Sequence, residues 1–304
     1  MIKAKSLFAS LRVFMARFDF VTERPQFFDE FRVWSQKSKL RLVFFEFVLF
    51  GLKQGWAALF GGLLLGAILV SRYWFPFSSF MHRYDFLFIY AVSIQAALIF
   101  FKLETLQEAK VILLFHIVGT AMELFKTAVG SWTYPETAIF RIEGVPLFTG
   151  FMYAAVGSYL ARVWRAFDFQ FTNYPPIWQT SLLSLFIYVN FFAHHYLPDI
   201  RILLFGVLGI LYFKTRVYFR VDERHYWMPL LLGFFLVSVF IWFGEQIGTF
   251  AKAWRYPNQV DGWQLVSIGK LGSWYLLMII SFVMVTWLHP IERRFMQNDR
   301  GDDL

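Results

Sequence analysis

The chain has 304 residues, of which 58% are hydrophobic and 22% aromatic, with a mean hydropathy of +0.50; soluble domains sit nearer 45–50% apolar, so this composition excludes an ordinary soluble domain and marks a membrane protein. Cysteine is absent, which excludes disulfides, a thiolate nucleophile and Cys-ligated metal. The net charge of +8 comes from basic residues flanking apolar runs, so it orients the chain in a bilayer rather than pointing to nucleic acid.

Residues 1–41 form a cytoplasmic segment by this reading. Leu7, Leu11, Phe14 and Phe18 recur at helical spacing among Lys3, Lys5, Arg12 and Arg17, which predicts an amphipathic helix lying on the membrane face. Pro25 ends it, and a second amphipathic stretch follows at Phe27–Trp34. The hydropathy then predicts an all-α polytopic protein of about eight transmembrane helices, at 43–71, 85–102, 110–131, 145–164, 178–197, 200–217, 227–249 and 264–288. Pro198–Asp199 joins the fifth and sixth as a hairpin. Gly51, Gly55, Ala58 and Gly62 on the first span, and Gly150, Ala154, Gly157 and Ala161 on the fourth, read as close-packing faces. Lys53, Gln54, Gln95 and Asn190 are further polar groups within spans, while Glu104, Glu108 and Lys110 read as a solvated loop. With both termini cytoplasmic, that side holds 20 Lys and Arg against 7 on the other.

One pattern occurs twice. Residues 123–136 read ELFKTAVGSWTYPE, and residues 245–258 read EQIGTFAKAWRYPN. Each has Glu, then Thr at +4, Trp at +9, Tyr at +11 and Pro at +12. They lie four spans apart, so both run in one direction. The chain therefore reads as a parallel 4+4 duplication, with repeats at 42–177 and 178–290 and a cytoplasmic tail at 291–304. Trp132, Tyr134, Trp254 and Tyr256 are interface anchors by residue type. Nine residues of helix, about 13.5 Å, then carry each glutamate toward the midplane of a core whose half-thickness is about 15 Å. Ionisable groups at that depth mark functional sites.

His116, Thr120, Glu123, Thr127 and Gly130 make one polar stripe; Ser238, Glu245, Thr249 and Lys252 make its counterpart. The candidate site is Glu123, Lys126 and Glu245, with His116, Thr127 and Thr249 around them. Lys126 lies one turn beyond Glu123, where the second motif has Gly248. The bland alternative is that these groups hydrogen-bond between helices and nothing more. His194-His195 with Asp199 does not make a metal motif, and no phosphate loop, dinucleotide fingerprint or nucleophile elbow occurs, so neither a metal nor a cofactor is implied.

The stretch ELFKTAVGSWTYPETAIFRIEGVPLFTGFMYAAVGSYLARVWR, residues 123–165, resembles the signature of a bacterial membrane-protein family known as domain of unknown function 817. The resemblance implies an inner-membrane protein of about eight spans and brings no activity. The order E…G-x-W-x-Y…GVP is also similar to carotenoid hydratases and lycopene cyclases, by which Glu123 and Gly144-Val145-Pro146 would carry over; Lys126 departs from that pattern. Three functions fit the residues: a transporter or permease taking a small solute at a polar site between the repeats, an intramembrane enzyme acting on a lipid or isoprenoid with a glutamate acid, and a non-catalytic scaffold or sensor.

Overall fold

The computed structural model describes residues 27–288 and 291, so the amphipathic helix expected before Pro25 and the 291–304 tail lie essentially outside the described residues. Helices α1 (Phe27–Ser35), α2 (Lys39–Ala57), α3 (Leu59–Tyr73), α4 (Arg83–Phe100), α5 (Leu106–Ala128) and α6 (Phe148–Ala166) come first. They are followed by α7 (Ile177–Ala193), α8 (Arg201–Tyr212), α9 (Leu230–Phe250) and α10 (Gly269–Leu288). Four of these, α4, α5, α9 and α10, are long and apolar enough to cross a membrane, and α2 with α3 makes a fifth if that bent pair is one span.

The departures from eight uniform spans have local causes. The α2–α3 pair bends by 70° at Ala58. At the break Arg162 donates to the Trp56 carbonyl at 3.1 Å. Helix α6 is long enough but carries too many Gly, Ser, Thr, Tyr and Arg side chains to be apolar throughout. Helix α8 stops at Tyr212, and the residues beyond it pair as strands.

Strands are the main correction to an all-α reading. Strands β1 (Arg141–Ile142) and β2 (Val145–Pro146) form a hairpin around Glu143 and Gly144, both at positive φ. Strand β3 (Gln170–Thr172) pairs with β4 (Arg216–Arg220), and β4 with β5 (His225–Pro229), all antiparallel. RVYFR and HYWMP, rich in aromatic and β-forming residues, flank a four-residue turn, which favours a hairpin there.

The Cα positions divide the chain into two compact units. The first comprises the described residues through Phe167 together with Trp242–Ile268; the second comprises Asp168–Ile241 and Gly269 onward. Within the second, α7 and α8 pack as the expected hairpin, held by Asn190, which donates to Asp199 Oδ1 at 3.1 Å and accepts from the Ile200 amide at 3.2 Å. Helix α10 packs on α7.

In the first unit the dominant pairing is α5 with α6. The small-residue face of α6 behaves as expected. A Cβ on Gly150 would meet His116 Nδ1 at 2.3 Å, and one on Gly157 would meet Phe115 Cδ2 at 2.7 Å. The Gly51, Gly55, Ala58 and Gly62 face does not: all four are exposed, and a Cβ on any of the three glycines would meet nothing within 4 Å. Glu104 and Glu108 are also not a solvated loop. Both are buried, Glu108 in a capping box with Thr105 and Glu104 against Ser158 at 2.7 Å and Arg162 at 3.4 Å. Antiparallel α5–α6 packing carries Arg162 and Arg165 to the start of α5, and the ion pairs follow.

Candidate functional site

Both copies of the motif end their helix in the same way. Ser131 N donates to Lys126 O at 2.9 Å, and Ala253 N donates to Gly248 O at 3.0 Å, bonds between matching positions. Gly130 and Lys252, again matching, hold φ of +74° and +55°. This is a Schellman ending with its left-handed residue at +7 from each glutamate. Glycine adopts that conformation freely; Lys252 adopts it at a steric cost.

The left-handed turn folds each loop back onto its own helix. Trp132 Nε1 donates to Glu123 Oε2 at 2.8 Å, and the Tyr134 hydroxyl donates to the same oxygen. In the second copy the Tyr256 hydroxyl donates to Glu245. The +11 tyrosine therefore holds the carboxylate of its own motif twice over. The aromatic residues and the glutamates form one layer here, because the reversed chain sends the ring hydroxyls back down the helix. Tyr153 from α6 completes the Glu123 shell, donating at 2.7 Å.

The two motifs also join each other. Thr133 N donates to Arg255 O and Arg255 N to Thr133 O, both at 2.9 Å, in an antiparallel bridge. Thr133 and Arg255 occupy the same position in their motifs, so the reciprocal bonds relate the copies by a local twofold. The Trp132 and Tyr256 rings meet edge to face at 6.1 Å. Trp132, which bonds Glu123, thereby touches the ring of Tyr256, which bonds Glu245. Glu123, Lys126 and Glu245 are 2%, 5% and 4% exposed. The candidate carboxylates are thus buried in one cluster of the first unit.

The copies differ where Lys126 faces Gly248. A Cβ on Gly248 would lie 2.0 Å from Cη2 of Trp254, so the glycine makes room for the buried indole. With a lysine at that position the equivalent Trp132 cannot lie there, and it bonds Glu123 instead. Thr249 donates to Glu245 O at 3.0 Å and accepts from Trp263 Nε1 at 3.1 Å. The Thr127 hydroxyl makes no hydrogen bond among the described residues, and the His116 ring packs tilted against Phe151 at 4.5 Å, across from Gly150.

Burial pushes the Tyr134 and Tyr256 hydroxyls well above the ordinary tyrosine value of 10.0, and the neighbouring glutamates add to it. Both therefore stay protonated as donors to the carboxylates.

The sequence patterns did not single out the groups that brace this cluster. Arg83 is buried at the start of α4 and donates to Ser71 Oγ, Ile68 O and Ala251 O at 3.0, 2.8 and 3.0 Å, and to Glu136 at 2.7 Å. Tyr84 donates to Ala253 O at 2.9 Å, and Asp85 accepts from the amides of Ile139 and Phe140 at 2.8–2.9 Å. The RYD run at the head of an apolar helix was the available signal. The other intramembrane polar groups do not join the carboxylates. Lys53 donates to Ala166 O at 2.9 Å, Gln54 accepts from Tyr159 at 2.8 Å, and Gln95 donates to Glu104. His194 Nδ1 bonds Asn190 O at 2.8 Å.

Residues 46–282, a span containing both motifs, match the family model described as "Protein of unknown function (DUF817)". The chain is 43% identical over 249 residues to the uncharacterized protein YoaT of Bacillus subtilis (strain 168), covering 82% of this chain and 94% of that protein. No solved structure matches. Neither match is to a carotenoid-modifying enzyme, and that likeness receives no support.

Proposed function

The chain belongs to the DUF817 family, and we propose that it is a transporter or permease of the bacterial inner membrane, with both termini cytoplasmic. Glu123, Lys126 and Glu245 are its central ion-responsive site. The observation that carries this reading is the pairing of two matching motifs through the Thr133–Arg255 bridge, each presenting a buried glutamate held by its +11 tyrosine. Two carboxylates and one ammonium in a low-dielectric cluster carry a formal charge of −1 when all are ionised. Uptake of one proton or one monovalent cation neutralises it, and its release restores the charge. A site that alternates between these states is the physical basis of ion-coupled movement.

The bridge supports the duplication as well. It brings the C-terminal ends of α5 and α9 to one side, which an even number of crossings between them provides. The parallel 4+4 plan with eight passes satisfies that parity. The excess of basic residues, 20 against 7, orients the motifs outward.

Proteoliposomes loaded with a pH-sensitive dye test the proposal. Wild-type protein is expected to move protons with one class of small solute in a screen, and Glu245→Gln is expected to abolish the coupling. Protein that moves neither protons nor any solute in the screen, while deletion of its gene changes the membrane lipids, would replace transport by the enzymatic reading.

A further inference from the structure

Glu123 and Glu245 are almost completely enclosed in this structure, so a solute or ion reaches them only if some part of the enclosure opens. The enclosure is uneven. Toward the start of α5, 17 residues of packed helix, about 25 Å, separate Leu106 from Glu123, and the buried Glu104–Arg162 pair closes that end. Along its flank α5 interlocks with α6, where Gly119 lies against Tyr153 and Gly157 against Phe115. Toward the motif end only five residues separate Glu123 from Ala128, the last residue of α5. There the two loops are joined by the pair of backbone hydrogen bonds between Thr133 and Arg255. Arg83 straddles this junction, with Glu136 of one loop on one side of its guanidinium and Ala251 O of the other motif on the other.

We infer that the Thr133–Arg255 bridge is a seam that parts to admit water and ions to the carboxylates, with Arg83 and Glu136 as its latch. The inference deepens the transport reading and rests on it for its purpose. Parting the seam breaks two backbone bonds at an edge where Thr133 is exposed and Arg255 half-buried, together with the Trp132–Tyr256 ring contact, whereas opening the α5–α6 face separates interlocked helices. The latch contains an ion pair whose Glu136 is one-third exposed while its Arg83 is buried, so neutralising that glutamate leaves the guanidinium without its counter-charge and loosens the seam.

The absence of native cysteine makes the test direct. Directly opposed residues joined by reciprocal bonds in an antiparallel bridge have Cα atoms about 5.5 Å apart, inside the disulfide range. A Thr133→Cys/Arg255→Cys chain is expected to cross-link within one molecule on mild oxidation. The probe is a water-soluble carbodiimide with glycine methyl ester, and the modified fraction of Glu123 and Glu245 is read by peptide mass spectrometry. Oxidised protein is expected to be modified at least tenfold more slowly than the same protein reduced. Glu136→Gln alone is expected to raise modification several-fold over wild type.

Equal modification in the oxidised and reduced states would overturn the inference, and failure of the pair to cross-link would contradict the pairing beneath it. Proton movement that continues unchanged in the oxidised protein would overturn the seam and leave transport standing. Gated modification in a protein that moves neither protons nor solute would keep the seam and remove the transport reading.

Discussion

Gly119→Ala probes the packing that seats the carboxylate cluster. A Cβ at Gly119 would lie 2.6 Å from Tyr153 Cγ and 2.7 Å from Tyr153 Cβ. These atoms sit next to the α6 backbone, so rotating the ring does not clear them. Ordinary contact begins at 3.4 Å, and the new methyl is therefore about 0.8 Å too close. If Tyr153 retreats by that amount along its bond to Glu123, 2.7 Å becomes about 3.5 Å, at the limit of a hydrogen bond. Overpacking of this kind costs roughly 1–3 kcal/mol. Helix propensity works the other way, favouring Ala over Gly by about 1 kcal/mol. Losing a hydrogen bond to a charged buried acceptor adds about 1.5–3 kcal/mol, so the balance is destabilising. Thermal unfolding in detergent, followed through tryptophan fluorescence, is expected to show a Tm lowered by several degrees. Gly55→Ala, where a Cβ meets nothing within 4 Å, is the control and is expected to hold or raise Tm. A Gly119→Ala chain as stable as the control would refute the α5–α6 contact and the Tyr153–Glu123 geometry that depends on it.

Other consequences can be measured separately. Asp85→Ala removes the acceptor of the Ile139 and Phe140 amides and is expected to cost about 1–3 kcal/mol; hydrogen exchange at those two amides should quicken while that of α10 is unchanged. Arg162→Met leaves Glu104 buried and without its ion pair, and is expected to cost about 3–5 kcal/mol. Adding Glu104→Gln should recover part of that loss of Tm, and no recovery would count against the pair. The raised Tyr134 and Tyr256 hydroxyls give a pH signature. Their contribution to stability is fully present below about pH 10, where unfolded tyrosine is still protonated, and is lost as pH rises beyond it, because unfolded tyrosine then releases its proton and the folded residue does not. Tm should fall above pH 10, less steeply in Tyr134→Phe/Tyr256→Phe.

The glutamates and the Thr, Trp and Tyr that follow them were legible as a motif because it repeats in one frame, and the +11 tyrosine holds the glutamate in both copies. What the aromatic residues do there was not legible. Trp and Tyr after an apolar helix read as surface anchors, and only the left-handed turn at Gly130 and Lys252 turns them inward. Arg83, Asp85 and Tyr153 reach the cluster from other helices, and helical periodicity carries no information about partners 30 or more residues away. Glu104 and Glu108 were misread for the same reason, since their burial depends on Arg162 and Arg165 arriving from α6, although Thr105 three residues before Glu108 spells a capping box. The sheet of β3, β4 and β5 was hidden because an aromatic, half-apolar hairpin between two apolar helices raises hydropathy as a span does.

The central claim is that Glu123 and Glu245 form one site. A double-mutant cycle of Glu123→Gln and Glu245→Gln on thermal stability tests it most directly. Independent sites give effects that add within about 0.3–0.5 kcal/mol. One shared site predicts that the double variant departs from the sum by more than that, because removing either charge relieves the other. Additivity within that margin would contradict the account.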